Sequence, residues 1–370
     1  MSMTEHGSGR YAVADTPTDV SSAVVEMMRK ARAPGVSVVV VNGDSVVHTG
    51  SYGLADIERG CPVAGSTSHL WFSMTKLVTA TVAMRLADEG GLDLAAPIDG
   101  FAGYLRAPGD VQPTMRHLLS HTAGLVNPLP VRWVHGAESP HPAPDALLRR
   151  VMGRRAYRRP VGGSARYSNV GYLAAGEIMS AATGEPFEAL VRRLVLEPVG
   201  MRQTDFAHPA GTERATGYVA LPLFTTPALR ALLPGDLVGS RHGGLVAMKP
   251  FYVDGPAFGG LVGTALDAGR FLRMHLNDGE LDGIRVLRPE TARSMRTVGC
   301  RGKPFDHGIG WFRRPTSSPE HWVEHFGSGV GYWNVMRLYP DHGLGVVIMS
   351  NGTKTLEFEP VMTRLMETFG

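Results

Sequence analysis

Cysteine is scarce in this 370-residue chain: Cys61 and Cys300 cannot build a disulfide framework or a multi-cysteine metal site. Long apolar runs are missing, since the longest, 36–41 and 343–350, are far too short to span a bilayer. Excess charge of one sign is missing too. Lysine plus arginine number 37 against 34 acidic residues, a balance of +3 spread along the chain. That gives no footprint for nucleic acid or an anionic membrane, and neither partner is expected. The start, MSMTEHGSGRYAVADTPTD, has no basic stretch leading into an apolar one. No secretory leader is read there, and a cytoplasmic location is expected. Neither G-x-S-x-G nor a Walker A loop occurs, which disfavours α/β-hydrolase and NTPase readings. What is present is globular: 43% hydrophobic and 19% charged residues, with 46 glycines and 26 prolines for turns. Disordered, collagen-like and coiled-coil classes are excluded, and one large or two interleaved domains are expected.

Strand character marks both ends. Residues 36–41 and 45–52 flank Asn42-Gly43-Asp44 and read as a β-hairpin. Residues 322–326, 331–339 and 344–349 read as strands, the last two joined by Pro340-Asp341-His342-Gly343. Between them, Met74, Leu77, Val78, Val82 and Leu86 fall at helical spacing. They predict a helix of roughly 17 residues, about 25 Å long, with Ser73 at its N-terminal end. Further helices are predicted from Val170 to Thr183 and from Pro186 to Pro198, with an amphipathic helix on Leu356, Val361 and Leu365. Residues 126–144 hold five prolines, two histidines and Trp133, and a long Pro-rich loop of this kind is usually a site rim. Residues 205–255 read as irregular. The expected fold is α/β of the α+β kind: an antiparallel sheet flanked by helices, built from both chain ends, with an all-helical insertion. The boundaries are 12–96 with 256–370 for the sheet domain, 97–255 for the insertion, and 1–11 as a flexible N-terminus.

Three places carry chemistry. Ser73-Met74-Thr75-Lys76 is an S-x-x-K, which on a helix puts the ammonium within reach of the hydroxyl. A desolvated lysine has a depressed pKa and can take the serine proton, and a helix N-terminus supplies N–H donors beneath a developing oxyanion. Lysine is otherwise rare, with only Lys30, Lys249, Lys303 and Lys354 besides. Taken alone, the match also fits a solvated lysine on an ordinary helix. Tyr167-Ser168-Asn169 can present a phenol and an amide to a common cleft from the loop before the second helix. The second Y-x-N, Tyr332-Trp333-Asn334, lies within a predicted strand and is read as structural or rim. His325-Phe326-Gly327, followed by Ser328, offers a strand edge with a small residue, where the Ser328 N–H can serve as a second oxyanion donor opposite that of Ser73.

In this order, S-x-x-K, Y-x-N and H-x-G resemble the penicillin-recognising serine hydrolases, specifically the class C β-lactamase-like group. Its third motif is [KH]-x-G near the C-terminus. LLSHTAGL at 118–125 is similar to the group's LLxHTSGL stretch, and FEALVRRLVLEPVGMRQT at 187–204 to its PLGMxxT helix end. The resemblance covers residues 33 to 370. It implies the β-lactamase/transpeptidase-like fold, no cofactor and no metal, and a small-molecule ester or amide as substrate. Carried over, it implies that Ser73 is acylated and that Lys76 and Tyr167 share the proton work. Asn169 would hydrogen-bond Lys76 and the acyl chain, and the N–H groups of Ser73 and Ser328 would form the oxyanion hole. His325 stands where many members carry lysine. A neutral histidine holds a substrate carboxylate less well and can instead hydrogen-bond Tyr167, which shifts the reading towards a carboxylesterase. β-Lactamase, D-aminopeptidase, DD-peptidase and acyltransferase activities on the same residues stay open.

Two readings compete from other classes. His321-Trp322-Val323-Glu324-His325 fits the inverted zinc motif H-x-x-E-H, but that motif needs a helix and a third ligand, whereas a strand is expected here. A penicillin sensor that acylates without turnover is the non-enzymatic alternative. His121 is expected to stabilise a turn near the cleft, and the loop histidines His135 and His141 to be solvated.

Overall fold

The valine run near the N-terminus forms the middle of a sheet because its alternate side chains serve two different cores. Val36, Val38 and Val40 pack with Val20 and Val24 of helix α1 (Thr18–Ala31) and Val361 and Leu365 of helix α5 (Glu359–Phe369). Val39 and Val41 point the other way, into the core with Leu77 and Phe271 of helices α2 (Thr75–Asp88) and α4 (Ala265–Leu276). A strand buried on both faces reads as a continuous apolar run, as this one does. The computed structural model describes residues 18–128, 133–140, 142–143, 145–152, 156–234, 237–315, 320–353 and 356–370. The expectations for residues 1–11 and for His141 lie outside them.

The strands of this sheet are β1 (Gly35–Asn42), β2 (Val46–Asp56), β3 (Cys61–Pro62), β4 (Asp306–His307), β5 (Phe312–Arg313), β6 (Val323–Gly329), β7 (Tyr332–Tyr339) and β8 (Leu344–Ser350). Their order is β4-β5-β6-β7-β8-β1-β2-β3, with every paired neighbour antiparallel. The two chain ends meet in the middle, where β1 pairs with β8 from Val36↔Ser350 to Asn42↔Leu344. Antiparallel pairing with helices on both faces is the expected α/β fold. Among the described residues no helix is long and apolar enough to cross a membrane.

The segment between the sheet's two halves is not all helical, which corrects that part of the expectation. It carries helix α3 (Asn169–Thr183), but also a three-stranded sheet of Tyr218–Ala220, Leu245–Met248 and Val238–His242. Val134–Gly136 pairs with Phe251–Val253. These strands have three to five residues, too few for a period-two pattern to stand out in sequence. Helical turns after Pro186 also run through Pro198 to Val199, because Pro198 sits in the first turn of the last short helix, where its missing N–H costs little.

Candidate active site

Helix α2 is preceded by a 3₁₀ turn, Phe72–Met74, and Ser73 is its middle residue. Phe72 has φ of +47°, a left-handed backbone that bulky residues rarely adopt. The turn is held from both sides. The Phe72 ring packs against Tyr332 and Phe251, with ring centroids 5.8 and 6.3 Å away. Above it runs β6, which approaches so closely that a Cβ on Gly327 would sit 2.0 Å from the Trp71 carbonyl oxygen. A Cβ on Gly329 would lie 2.0 Å from the Phe72 ring. Glycine at both positions is thus a steric requirement for laying β6 across the turn that presents Ser73.

Helix α2 is enclosed on nearly every side, with 11 of its 14 residues buried. This is why Lys76, one turn beyond Ser73, is fully buried. Its Nζ lies 3.0 Å from Ser73 Oγ and donates to the Phe258 carbonyl at 2.9 Å. The surroundings are otherwise rings, with Nζ 4.8 Å from the Tyr167 centroid and 5.3 Å from that of Phe258. Burial without a carboxylate pushes the Lys76 ammonium well below its ordinary pKa. As a neutral amine, Lys76 can donate to Phe258 O while its lone pair accepts the Ser73 hydroxyl proton.

The Tyr167 phenol neighbours the Ser73 hydroxyl, and burial raises its pKa so that it stays protonated. Its position is fixed by two residues. Asn127 Nδ2 donates to the Tyr167 carbonyl at 3.2 Å, and Asn127 Oδ1 accepts from the Asn169 N–H at 2.7 Å. His121 lies beneath the Tyr167 ring, centroids 4.7 Å apart, and its Nδ1 accepts from the Ser168 N–H at 3.0 Å. That bond places the imidazole proton on Nε2, and burial holds the ring neutral. His121 braces the Y-x-N turn, the role expected of it. Ser168 caps α3 by accepting from the Gly171 N–H, so Asn169 sits at the first helical position.

Two expected contacts are absent. Lys76 bonds Ser73 and the Phe258 carbonyl, not Asn169, whose Oδ1 is buried without a partner. The short helix Pro256–Gly259 ends against α2, so its terminal carbonyls take the donors: Phe258 O that of Lys76, and Ala257 O that of Thr79. Likewise His325 does not hydrogen-bond Tyr167. The rings are 6.0 Å apart, and His325 Nδ1 donates to the neighbouring Phe326 carbonyl at 2.7 Å, leaving the buried Nε2 unpartnered. Burial depresses its pKa well below normal, so His325 is neutral.

A cavity of about 790 Å³ joins these groups. Ser73, Tyr167, Asn169, His325 and Ser328 line it together with the rings of Phe305, Phe312, Phe326, Trp333 and Phe358. Strand β5 reaches β6 only at Phe312↔Glu324, so among the described residues His325–Gly329 form an open edge along the cavity. Such an edge can pair with an extended substrate. The rest of the zinc-like motif lies elsewhere. Val323–His325 is strand, and Glu324 is fully buried against Arg337, Nη2 to Oε2 2.6 Å. The rival Y-x-N is a tie inside the sheet: Asn334 Nδ2 donates to Leu70 O at 2.9 Å and its Oδ1 accepts from the Ser350 N–H at 3.0 Å. Asn127 and the Phe258 carbonyl were missed from sequence. A main-chain carbonyl carries no residue signal, and the only pointer to Asn127 was its place at the start of the Pro-rich loop.

The family model described as Beta-lactamase matches residues 20–368. The chain belongs to the beta-lactamase family. The chain is similar to an uncharacterized protein of Mycobacterium tuberculosis, 32% identical over 284 residues, covering 71% of this chain and 67% of that one. The fold is similar to the octameric penicillin-binding protein homologue from Pyrococcus abyssi, with TM-score 0.77 and 24% identity over 94% of this chain and 76% of that chain. EstCE1, described as a hydrolase with promiscuous acyltransferase activity, superposes with TM-score 0.71 at 21% identity, covering 94% of this chain and 97% of its own. These two likenesses concern the fold of the family.

Proposed function

We propose that this member of the family is a carboxylesterase that works through an acyl-enzyme on Ser73. The observation that carries the reading is the pairing of Ser73 Oγ with the buried Lys76 amine at 3.0 Å, inside an apolar-walled cavity. As Ser73 Oγ attacks the ester carbonyl carbon, its proton passes to Lys76 Nζ. The N–H groups of Ser73 and Ser328 take the charge that develops on the carbonyl oxygen. Collapse breaks the bond to the leaving oxygen, which receives the proton through Lys76 and Tyr167. Water then attacks the acyl-enzyme, gives its proton to the same pair, and releases the acid with the Ser73 hydroxyl restored. Asn169 and the open edge of β6 orient the acyl chain.

The neutral His325 supports esters over lactams, because it offers no cation to a substrate carboxylate. A panel of p-nitrophenyl butyrate, nitrocefin and D-alanine p-nitroanilide tests this. The highest kcat/KM is expected for the butyrate ester, and a higher value for nitrocefin would overturn the preference. A second reading, acyl transfer to an alcohol, is supported by the aromatic wall, which favours an apolar acceptor over water. Adding butanol to the ester assay tests it through the appearance of a butyl ester. Stoichiometric acylation without turnover would instead mark a sensor.

A further inference from the structure

At the rim of the same cavity Arg314 is held between two carboxylates. Its Nη2 donates to Glu359 Oε1 at 2.6 Å and its Nε to Glu324 Oε1 at 3.2 Å. Arg337, buried beneath, donates to the same pair, with Nη2 2.6 Å from both Glu324 Oε2 and Glu359 Oε1. Two guanidinium groups and two carboxylates cancel. Glu357, which also lines the cavity, adds a further carboxylate. Arg314 is the one lysine or arginine among the described residues lining this cavity, and it is already spent. A substrate carboxylate entering here meets acids and no available cation.

Arg314 is nonetheless within reach. Its side chain is 40% exposed and that of Glu359 54%, and its Cζ stands 5.2 Å from the centre of the Phe326 ring in the cavity wall. We infer that Arg314 is a masked carboxylate anchor, and that Glu359 sets the bias of the site against anionic substrates. The inference rests on the acyl-enzyme reading above and names the substrate charge which that site accepts. It places specificity in a residue outside all three sequence motifs, on the N-terminal turn of α5.

The test is a matched pair of esters, p-nitrophenyl butyrate and p-nitrophenyl hemisuccinate, which differ by a terminal carboxylate. In the wild-type protein kcat/KM is expected to favour the neutral ester. In Glu359→Gln the ratio is expected to move about three- to tenfold towards the hemisuccinate, chiefly through KM, since removing a negative selector changes a difference of affinities. Adding Arg314→Met to Glu359→Gln should reverse that shift. An unchanged ratio in Glu359→Gln with a native circular dichroism spectrum would overturn the inference. A wild-type preference for the hemisuccinate would also overturn it, and needs no variant. If a fluorophosphonate left Ser73 unlabelled in the wild-type protein, the acyl-enzyme reading would fail instead, so the two failures are read from different experiments.

Discussion

Lys76 is asked to be buried and to carry a proton, and those demands oppose each other. Burial favours the neutral amine, and that is what lets a lysine act as a base. Arginine cannot lose its proton in a protein, so Lys76→Arg keeps a charge and removes the base. Both Lys76→Arg and Lys76→Ala are expected to lower kcat by about 10²–10⁴, the range of a general base. Substantial turnover in the arginine variant would mean that Lys76 only anchors charge. The same burial has a thermodynamic signature. With its folded pKa depressed, Lys76 binds fewer protons folded than unfolded at any pH between the folded value and the ordinary value of about 10.4. Its contribution to stability therefore rises with pH across that window. Lys76→Met lacks this term, so its melting temperature relative to wild type should be more favourable at pH 6 than at pH 9. A difference that does not change with pH would show that Lys76 is not titrated by folding.

At the scale of elements, the site depends on β6 crossing the Phe72–Met74 turn at a separation only glycine permits. In Gly327→Ala the new Cβ would lie 2.0 Å from Trp71 O, so strand or turn must move. Overpacking of this kind costs about 1–3 kcal/mol, and it shifts Ser328 relative to Ser73. Urea unfolding should show the loss of stability, and fluorophosphonate labelling of Ser73 should slow; wild-type values for both would refute the steric argument. Which elements were legible in sequence follows from their length and periodicity. The hairpin over β1 and β2, α2 and β6–β8 could be read because each is long enough to show either a continuous apolar run between turn signals or apolar residues at a fixed period. The strands of 218–253 were too short to show one. Of the site, the side chains with distinctive chemistry were legible: Ser73, Lys76, Tyr167 and Asn169 line or flank one cleft, as do His325 and Ser328. Their partners were not. Phe258 contributes only a carbonyl, and Asn127 acts from a loop. The Arg314–Glu359 pair joins positions that no helical or strand period links.

At the scale of the whole molecule, the sheet closes by joining the two chain ends, and the ion-pair network fastens that closure beside the cavity. Arg337 on β7 binds Glu324 on β6 and Glu359 at the start of α5, so the C-terminal helix is tied to the strand that carries His325 and Ser328. Only with both ends in place do the Ser73 turn, the Tyr167 loop and the open strand edge face one cavity. On the proposed mechanism these groups converge on a single nucleophile, Ser73. The decisive measurement treats the 370-residue chain with a fluorophosphonate and maps the adduct by peptide mass spectrometry. The expected result is one adduct, on the peptide containing Ser73, lost in Ser73→Ala. An adduct on Ser168 or Ser328, or undiminished labelling of Ser73→Ala, would contradict it.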